Sequence, residues 1–238
     1  MSLTDLQTWI DGQPHGRFAI IGGVGSGKTT CAARLEFPAV ELVLYLDITG
    51  AFRDKIPGRF AVLPLPRLPD EAEKQQVIFS KVKRVLQTCR EKKILFELRN
   101  LMVDKNHLRA FSDFLADFLM LENGRKVALV VDEAPEFLPQ MGKGYSDKLE
   151  TIYRVGRNWG VLFIGSTAQR PQDAAKAALD TSAAYAVLRM ASPRALAAVR
   201  DLLQDTEASF EGKAHRLMDL PVGSYYLLEM AGRRDWWV

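Results

Sequence analysis

The chain has little of what marks an extracellular, zinc-binding or membrane-spanning protein. Its 238 residues include two cysteines and three histidines, and neither cysteine has the CxxC spacing of a metal or redox site. Unpaired cysteines are typical of a reducing compartment. No apolar run approaches the ~20 residues of a membrane-spanning helix, and the first residues lack the pattern of a signal peptide. We therefore expect a cytoplasmic chain without a membrane segment of its own.

A strong excess of either charge is also missing. The formal net charge is +3, and the hydrophobic share of 47% and charged share of 26% are ordinary for a globular protein. Charge alone thus gives no sign of a nucleic-acid partner, although a local basic strip stays open. The length is sufficient for one sizeable core.

Short apolar runs alternate with helical patterns along the chain. The predicted strands are 17–23, 41–49, 58–65, 94–99, 126–134, 160–168 and 183–190. The predicted helices are 28–36, 70–93 with Asp70 as N-cap, 106–124, 146–158, 172–179 and 192–204, and residues 223–238 form a terminal hairpin. Because the strands are apolar throughout, we expect a mostly parallel α/β sheet with helices on both faces.

The turn between the first predicted strand and helix has the spacing of a phosphate-binding loop. Residues 22–30 read GGVGSGKTT, which matches G-x-x-x-x-G-K-[ST]. Glycine allows close backbone approach to phosphates, and a helix N-terminus attracts anions. We expect Lys28 to reach the β- and γ-phosphates and the Thr29 hydroxyl to hold Mg²⁺. The expected nucleotide-binding residues are Gly22, Gly23, Gly25, Ser26, Gly27, Lys28, Thr29 and Thr30.

An acidic pair follows a second buried strand. The stretch VALVVDEA places Asp132 and Glu133 where that strand ends. We expect Asp132 to bind Mg²⁺ and Glu133 to act as the general base that orients water on the γ-phosphate. Two adjacent acids at this position indicate hydrolysis rather than nucleotide binding alone. No Asn-Lys-x-Asp guanine motif occurs, which favours ATP over GTP.

The stretch after residue 152 is more specific. Residues 153–171 read YRVGRNWGVLFIGSTAQRP, and SPRALAAVRDLL and LPVGSYYLLEMAGRRDWW follow near the end. Together with the two motifs above, this series resembles the HerA–FtsK superfamily of ring-forming DNA-pumping ATPases, from about residue 17 to 235. The resemblance implies a RecA-like P-loop NTPase core with a C-terminal β-hairpin. It divides the chain into an N-terminal arm, 1–16, and a motor domain, 17–238.

The resemblance also assigns roles to single residues. Gln169 would be the polar sensor of the γ-phosphate. Arg157, or alternatively Arg154, would be the arginine finger given to a neighbouring subunit of a homo-oligomeric ring, expected to be a hexamer. Asp47 matches the acidic residue that ends the second strand.

Two departures from the family pattern leave questions open. Residue 51 is alanine where the family often has glutamate. The sensor strand ends in STAQRP, one residue longer than usual. A β-bulge would absorb the extra residue; otherwise Thr167 rather than Gln169 faces the phosphate.

The loop lies close to the first residue, so the chain resembles the bare ATPase core of viral genome-packaging motors. We expect an ATP-driven double-stranded DNA translocase that docks on capsid-vertex or membrane-associated proteins, virion-associated or in the host cytoplasm. The alternatives are a cellular or mobile-element DNA motor, a virion-assembly ATPase of the Zot type, and a nucleotide switch without translocation. Lys81, Lys83, Arg84 and Lys143 are open as DNA contacts or as ordinary solvated surface.

Overall fold

The computed structural model describes residues 4–139, 145–173, 176–179, 181–202, 207–230 and 234–235, so Lys143 and its loop tip lie outside the described residues. Nine strands occur in these ranges. They are β1 (Gly16–Ile21), β2 (Leu42–Asp47), β3 (Ala61–Pro64), β4 (Lys93–Glu97), β5 (Val127–Val131), β6 (Val161–Ala168), β7 (Ala184–Leu188), β8 (Tyr225–Glu229) and β9 (Arg234–Asp235).

Helices connect most of these strands. They are α1 (Thr4–Asp11), α2 (Lys28–Arg34), α3 (Ala72–Thr88), α4 (Lys105–Leu121), α5 (Ala134–Phe137), α6 (Asp147–Val155), α7 (Lys176–Leu179), α8 (Pro193–Leu202) and α9 (Glu207–Asp219). Short 3₁₀ segments span Arg99–Val103, Gly156–Trp159 and Pro171–Asp173. Among the helices described, none combines the length and apolar character that a bilayer crossing requires.

The strands form one sheet in the order β3-β4-β2-β5-β6-β1-β7-β8-β9. Every neighbouring pair from β3 to β7 is parallel. β8 runs antiparallel to β7, and β9 runs antiparallel to β8. The predicted mostly parallel sheet and terminal hairpin are therefore confirmed.

Both faces of the sheet are covered because each central strand is apolar on both sides. In β2, Leu44 packs in one core cluster and Tyr45 in the other, as the alternation of a strand requires. The first cluster is completed by side chains from α3, α4, α6, α7, α8 and α9. The second is completed by α1, α2 and the chain between α2 and residue 56. In α1, Leu6, Trp9 and Ile10 are buried in that second cluster.

Three local features differ from the sequence expectations. α3 begins at Ala72 with Glu71 at the N-cap position and without a side-chain cap, so Asp70 lies one residue before the N-cap position predicted for it. α9 was not predicted from the sequence. β6 does contain a bulge, since its register with β5 shifts between Val127 and Ala128. That bulge lies where β6 begins, at the opposite end of the strand from Gln169.

Candidate nucleotide-binding site

The phosphate loop, the acidic pair and Gln169 come together at the carboxyl edge of the sheet. They follow β1, β5 and β6, and β6 lies between the other two strands. In parallel sheets this edge is the usual place for ligands. The sheet order therefore brings together three motifs that are more than 30 residues apart in the sequence.

Backbone hydrogen bonds hold the loop on three sides. The Gly22 amide donates to the Ala168 carbonyl at 3.2 Å, where β6 ends, and the Gly23 amide donates to the Arg189 carbonyl at 2.9 Å, just after β7. On the third side the amide of Gly223 donates to the carbonyl of Ser26 at 2.9 Å. The loop conformation thus depends on both neighbouring strands and on the turn before β8.

Glycine is required at two loop positions for different reasons. A Cβ at Gly22 would lie 2.5 Å from Ser26 Oγ and 2.8 Å from Leu188 Cβ, so a side chain there would displace the loop. Gly27 has φ of 101°, in the left-handed region that L-residues avoid. This glycine ends the loop and begins α2.

The first turn of α2 provides positive charge and free amides. The first intrahelical bond is the one that Cys31 donates to the Gly27 carbonyl at 2.9 Å, so the amides of Lys28, Thr29 and Thr30 have no partner within the helix. Lys28 Nζ donates to the carbonyls of Gly22 and Gly23 at 2.8 and 3.0 Å. Burial lowers the pKa of Lys28, and the nearby carboxylates of Glu133 and Asp132 partly offset this effect. The Lys28 side chain thus lies on the loop carbonyls and close to both acids, where the phosphates of a nucleotide are expected.

Asp132 is almost fully buried and is held by two threonine hydroxyls. Thr49 Oγ1 lies 2.7 Å from Asp132 Oδ2, and Thr167 Oγ1 donates to Asp132 Oδ1 at 3.0 Å. Burial raises the pKa of Asp132, and the nearby charge of Asp47 raises it further. The two hydroxyl hydrogen bonds and the charge of Lys28 act in the opposite direction. Both carboxylate oxygens are thus fixed in direction.

Glu133 has a strained backbone and a tethered carboxylate. Its φ of 51° and ψ of 68° place it in the left-handed region, a conformation that costs a non-glycine residue about 1 kcal/mol or more. Its amide donates to Thr167 Oγ1 at 2.9 Å, and its Oε1 accepts from the Gln169 amide at 2.9 Å. Burial raises the pKa of Glu133, and the bond from Gln169 and the charge of Lys28 partly counteract it. A buried carboxylate with a raised pKa is suited to accept a proton.

Thr167 links the two acids, which bears on the alternative left open by the sequence. Its hydroxyl accepts from the Glu133 amide and donates to Asp132, so the side chain is fully engaged. Gln169, in contrast, lines an open cleft that begins at Gly23 of the loop. This placement favours Gln169 over Thr167 as the residue nearer to a γ-phosphate, and the sensor role itself stays a prediction.

Asp47 accepts hydrogen bonds from the turn that follows β2. Its Oδ1 accepts from the amides of Thr49 and Gly50 at 3.0 and 2.7 Å, and its Oδ2 accepts from the amide of Phe52 at 3.0 Å. These bonds fix the turn that presents the Thr49 hydroxyl to Asp132. This role of Asp47 was not predicted from the sequence, and neither Thr49 nor Gly223 was singled out there.

The chain shares its fold with solved structures, although no family model and none of the curated proteins matches it. The genome-packaging NTPase B204 from Sulfolobus turreted icosahedral virus 2, in complex with AMPPCP, aligns with a TM-score of 0.61 at 13% identity over 93% of this chain and 95% of that one. The DNA-packaging ATPase B204 from Sulfolobus turreted icosahedral virus gives a TM-score of 0.60 at 10% identity over 92% and 94%. VirB4 of Thermoanaerobacter pseudethanolicus gives 0.60 at 12% identity over 90% and 86%.

The fold is that of a RecA-like P-loop NTPase. It is the fold implied by the motif series, and the structural likeness extends over nearly the whole chain.

Within this RecA-like core the expected metal ligands are hard oxygen donors. Thr29 follows Lys28 in the first turn of α2, and the Asp132 carboxylate lies where β5 ends. Mg²⁺ is usually held by one or two protein oxygens together with substrate phosphates. The described residues contain no cluster of three or more acidic, histidine or cysteine ligands, so they fit a metal completed by a nucleotide rather than one held by protein alone.

Ser26 is a further sign that the loop is shaped for a ligand. Its side chain is 1% exposed, and its Oγ has no hydrogen-bond partner in the described structure. A buried hydroxyl without a partner costs free energy unless something else satisfies it. A phosphate oxygen in the loop is a suitable acceptor.

The two candidate finger arginines lie at the other edge of the sheet. Arg157 is exposed in the 3₁₀ segment Gly156–Trp159, directly before β6 begins. Arg154 is exposed on α6 and forms an ion pair with Glu150 at 2.6 Å. The eight residues of β6 span about 26 Å at roughly 3.3 Å per residue. The structure thus separates both arginines from the phosphate loop of their own chain.

Proposed function

We propose that this chain is an ATP-hydrolysing motor that moves double-stranded DNA, with viral genome packaging as its biological use. The observation that carries the proposal is the meeting of Lys28, Asp132 and Glu133 at the phosphate loop, where Lys28 interacts electrostatically with both acids. The fold shared end to end with a genome-packaging NTPase supports the packaging use.

In the proposed reaction Lys28 and the amides of the first turn of α2 bind the β- and γ-phosphates. Glu133 accepts a proton from the attacking water, and its tether to the Gln169 amide fixes the direction of the carboxylate. Thr29 and Asp132 would hold Mg²⁺, which supplies positive charge for the phosphate oxygens. The two threonines on Asp132 keep that carboxylate in place.

Arg157 has a role in this proposal only if a second chain is present. Charge that develops on the γ-phosphoryl oxygens is stabilised by an arginine supplied from outside the site. Because Arg157 lies a strand length from its own loop, it would serve the loop of the neighbouring subunit in a ring. We take Arg157 before Arg154, since the Arg154 side chain is paired with Glu150.

DNA-stimulated hydrolysis tests the proposal. Assembled protein at low salt should hydrolyse ATP faster when duplexes of unrelated sequence are added, and the stimulation should fall steeply with salt because the contacts are to phosphates. Lys28→Ala protein is the control for contaminating ATPase. A hydrolysis rate that no duplex changes would contradict the motor proposal and favour a nucleotide switch without translocation.

The likeness to VirB4 keeps a second use open, because its fold matches as well as that of the packaging enzyme. This second candidate is a mobile-element or secretion ATPase with the same core. The two uses differ in partner, so pull-down of capsid proteins expressed from the same genome supports packaging, and pull-down of envelope proteins supports the other.

A further inference from the structure

A cleft of about 730 Å³ opens beside the phosphate loop. Its wall includes Gly23, Gln169 and three arginines, Arg170, Arg189 and Arg194. No carboxylate is among the described residues of that wall. The cleft is therefore a positively charged space directly connected to the proposed reaction site.

The cleft adjoins the γ-phosphate end of the loop. Lys28 Nζ, which should reach the β- and γ-phosphates, lies on the carbonyls of Gly22 and Gly23, and Gly23 is part of the cleft wall. Gln169 also belongs to the wall, and its amide holds the Glu133 carboxylate. The cleft thus shares Gly23 and Gln169 with the proposed reaction site, so a phosphate released there would have the cleft beside it.

The three arginines are placed to bind an anion. Within the described part of the chain, none of their guanidinium groups is paired with a carboxylate, whereas Arg200, which shares α8 with Arg194, contacts Asp201 at 3.1 Å. Arg170 and Arg194 are exposed and Arg189 is half-buried. Guanidinium groups bind tetrahedral oxyanions through paired N–H donors.

The start of α8 adds to the positive potential. Ser192 lines the cleft, and the first intrahelical bond of α8 runs from the Leu196 amide to the Ser192 carbonyl at 3.0 Å. The amides of Arg194 and Ala195 precede that bond and have no partner within the helix. The helix end thus supports the arginines.

We propose that this arginine cleft is a second anion site that takes the inorganic phosphate released from the γ-position. The proposal rests on the proposed ATP hydrolysis for the source of the anion. At about 30 Å³ per water molecule, the cleft has room for a phosphate together with its hydration water. A passage through which phosphate leaves to solvent requires this room. Arg189 and Arg194 are its principal ligands, and binding is weak and sensitive to salt.

In the test, a nucleotide analogue first fills the phosphate loop, so that any orthophosphate that still binds is bound outside the loop. Protein is saturated with the β,γ-methylene analogue of ATP, which occupies the γ-position, and orthophosphate binding is followed by ³¹P line broadening against chloride at equal ionic strength. Wild-type protein should bind orthophosphate saturably. Arg189→Ala and Arg194→Ala should each weaken this binding about tenfold, whereas the matched control Arg200→Ala should not change it.

Two further measurements keep the outcomes distinct. If the analogue does not bind, the proposed ATPase function fails, and orthophosphate is then titrated into Lys28→Ala protein, where the same arginine dependence supports the cleft. A short duplex that displaces orthophosphate from wild-type protein would overturn the proposal, because the cleft would then belong to the DNA path. Equal orthophosphate binding by wild-type, Arg189→Ala and Arg194→Ala proteins would overturn it as well.

Discussion

The two edges of the sheet are built from the same strands but differ in how their charged groups are held. At the carboxyl edge, Asp132 and Glu133 are tied by hydroxyl and amide donors on neighbouring strands. At the amino edge, Arg157 is exposed. A second arginine there, Arg17, is anchored on the carbonyls of Tyr153 and Leu162 at 3.0 and 3.2 Å, and burial lowers its pKa to about 10.

This difference indicates a division of labour. Chemistry that needs fixed geometry lies at the edge where both oxygens of Asp132 and Oε1 of Glu133 accept hydrogen bonds. The exposed arginine lies at the opposite edge. In the proposed motor, one chain would carry both halves of the reaction centre, a strand length apart, and a second chain would be needed to join them.

The largest expected effect tests whether the carboxyl edge alone binds nucleotide. Lys28→Ala should reduce ATP hydrolysis to background and abolish binding of a fluorescent ATP analogue, since the described loop contains no other cation. Lys126→Ala is the matched control, because Lys126 is exposed just before β5 at the amino edge. If both variants hydrolyse ATP at the wild-type rate, the site is misplaced.

The next effect tests the amino edge. Arg157→Ala should bind ATP but lose turnover on the order of 10³–10⁵-fold, as removal of a finger does. Mixed with Lys28→Ala protein it should recover activity, because some interfaces then join an intact loop to an intact arginine.

The same mixing with Arg154→Ala distinguishes the two candidates. Recovery with Arg154→Ala and none with Arg157→Ala would move the finger to Arg154. Wild-type protein that hydrolyses at full rate as a monomer, checked by light scattering, would contradict a finger in trans.

A smaller effect concerns the proposed base. Glu133→Gln should keep ATP binding and lose turnover on the order of 10²–10⁴-fold. Burial raises the pKa of Glu133, so wild-type turnover should fall with decreasing pH at a higher pH than the usual carboxyl value of 4.5. Residual turnover of Glu133→Gln should lack this acid limb. Glu136→Gln is the control and should keep the acid limb. This change on α5 removes the carboxylate that pairs with Lys105.

The smallest effect is on stability. Because the folded pKa of Asp132 is raised, the folded chain binds a proton at Asp132 more readily than the unfolded chain does. The free energy of unfolding therefore falls as the pH rises through the window between the two pKa values, and it stays lower above it. Asp132→Asn cannot ionise and should remove this pH dependence, so the difference in Tm between the variant and wild type should be more favourable to the variant at pH 7 than at acid pH. The scan is made without nucleotide or Mg²⁺, and the exposed Asp54→Asn should leave the Tm unchanged.

The motifs could be predicted from the sequence because their signals are local. Glycine spacing and the strand–turn–helix order identify the loop within nine residues, and an apolar run followed by two acids identifies the end of β5. The same periodicity located most of the helices and strands to within about five residues, whereas α1, α5 and α9 were not predicted. Each of these signals depends on neighbours along the chain.

The partners of the acids could not be predicted in this way. Thr49 and Asp132 are 83 residues apart and meet only because β2 and β5 are adjacent in the sheet. α9 has a weak apolar pattern in which Phe210 and Leu217 are buried, and it contains Gly212, a residue of low helix propensity. Contacts that depend on strand order have no signature in a single stretch of sequence.

The hydrogen bond from Gly223 to Ser26 has a consequence for how the protein is made. During synthesis the loop leaves the ribosome before the groups that hold it, at residues 168, 189 and 223. Domains fold as their last required segments emerge. A nascent chain that stops short of residue 223 has the loop sequence without its complete support, so we expect nucleotide turnover to begin only after residue 223 has emerged.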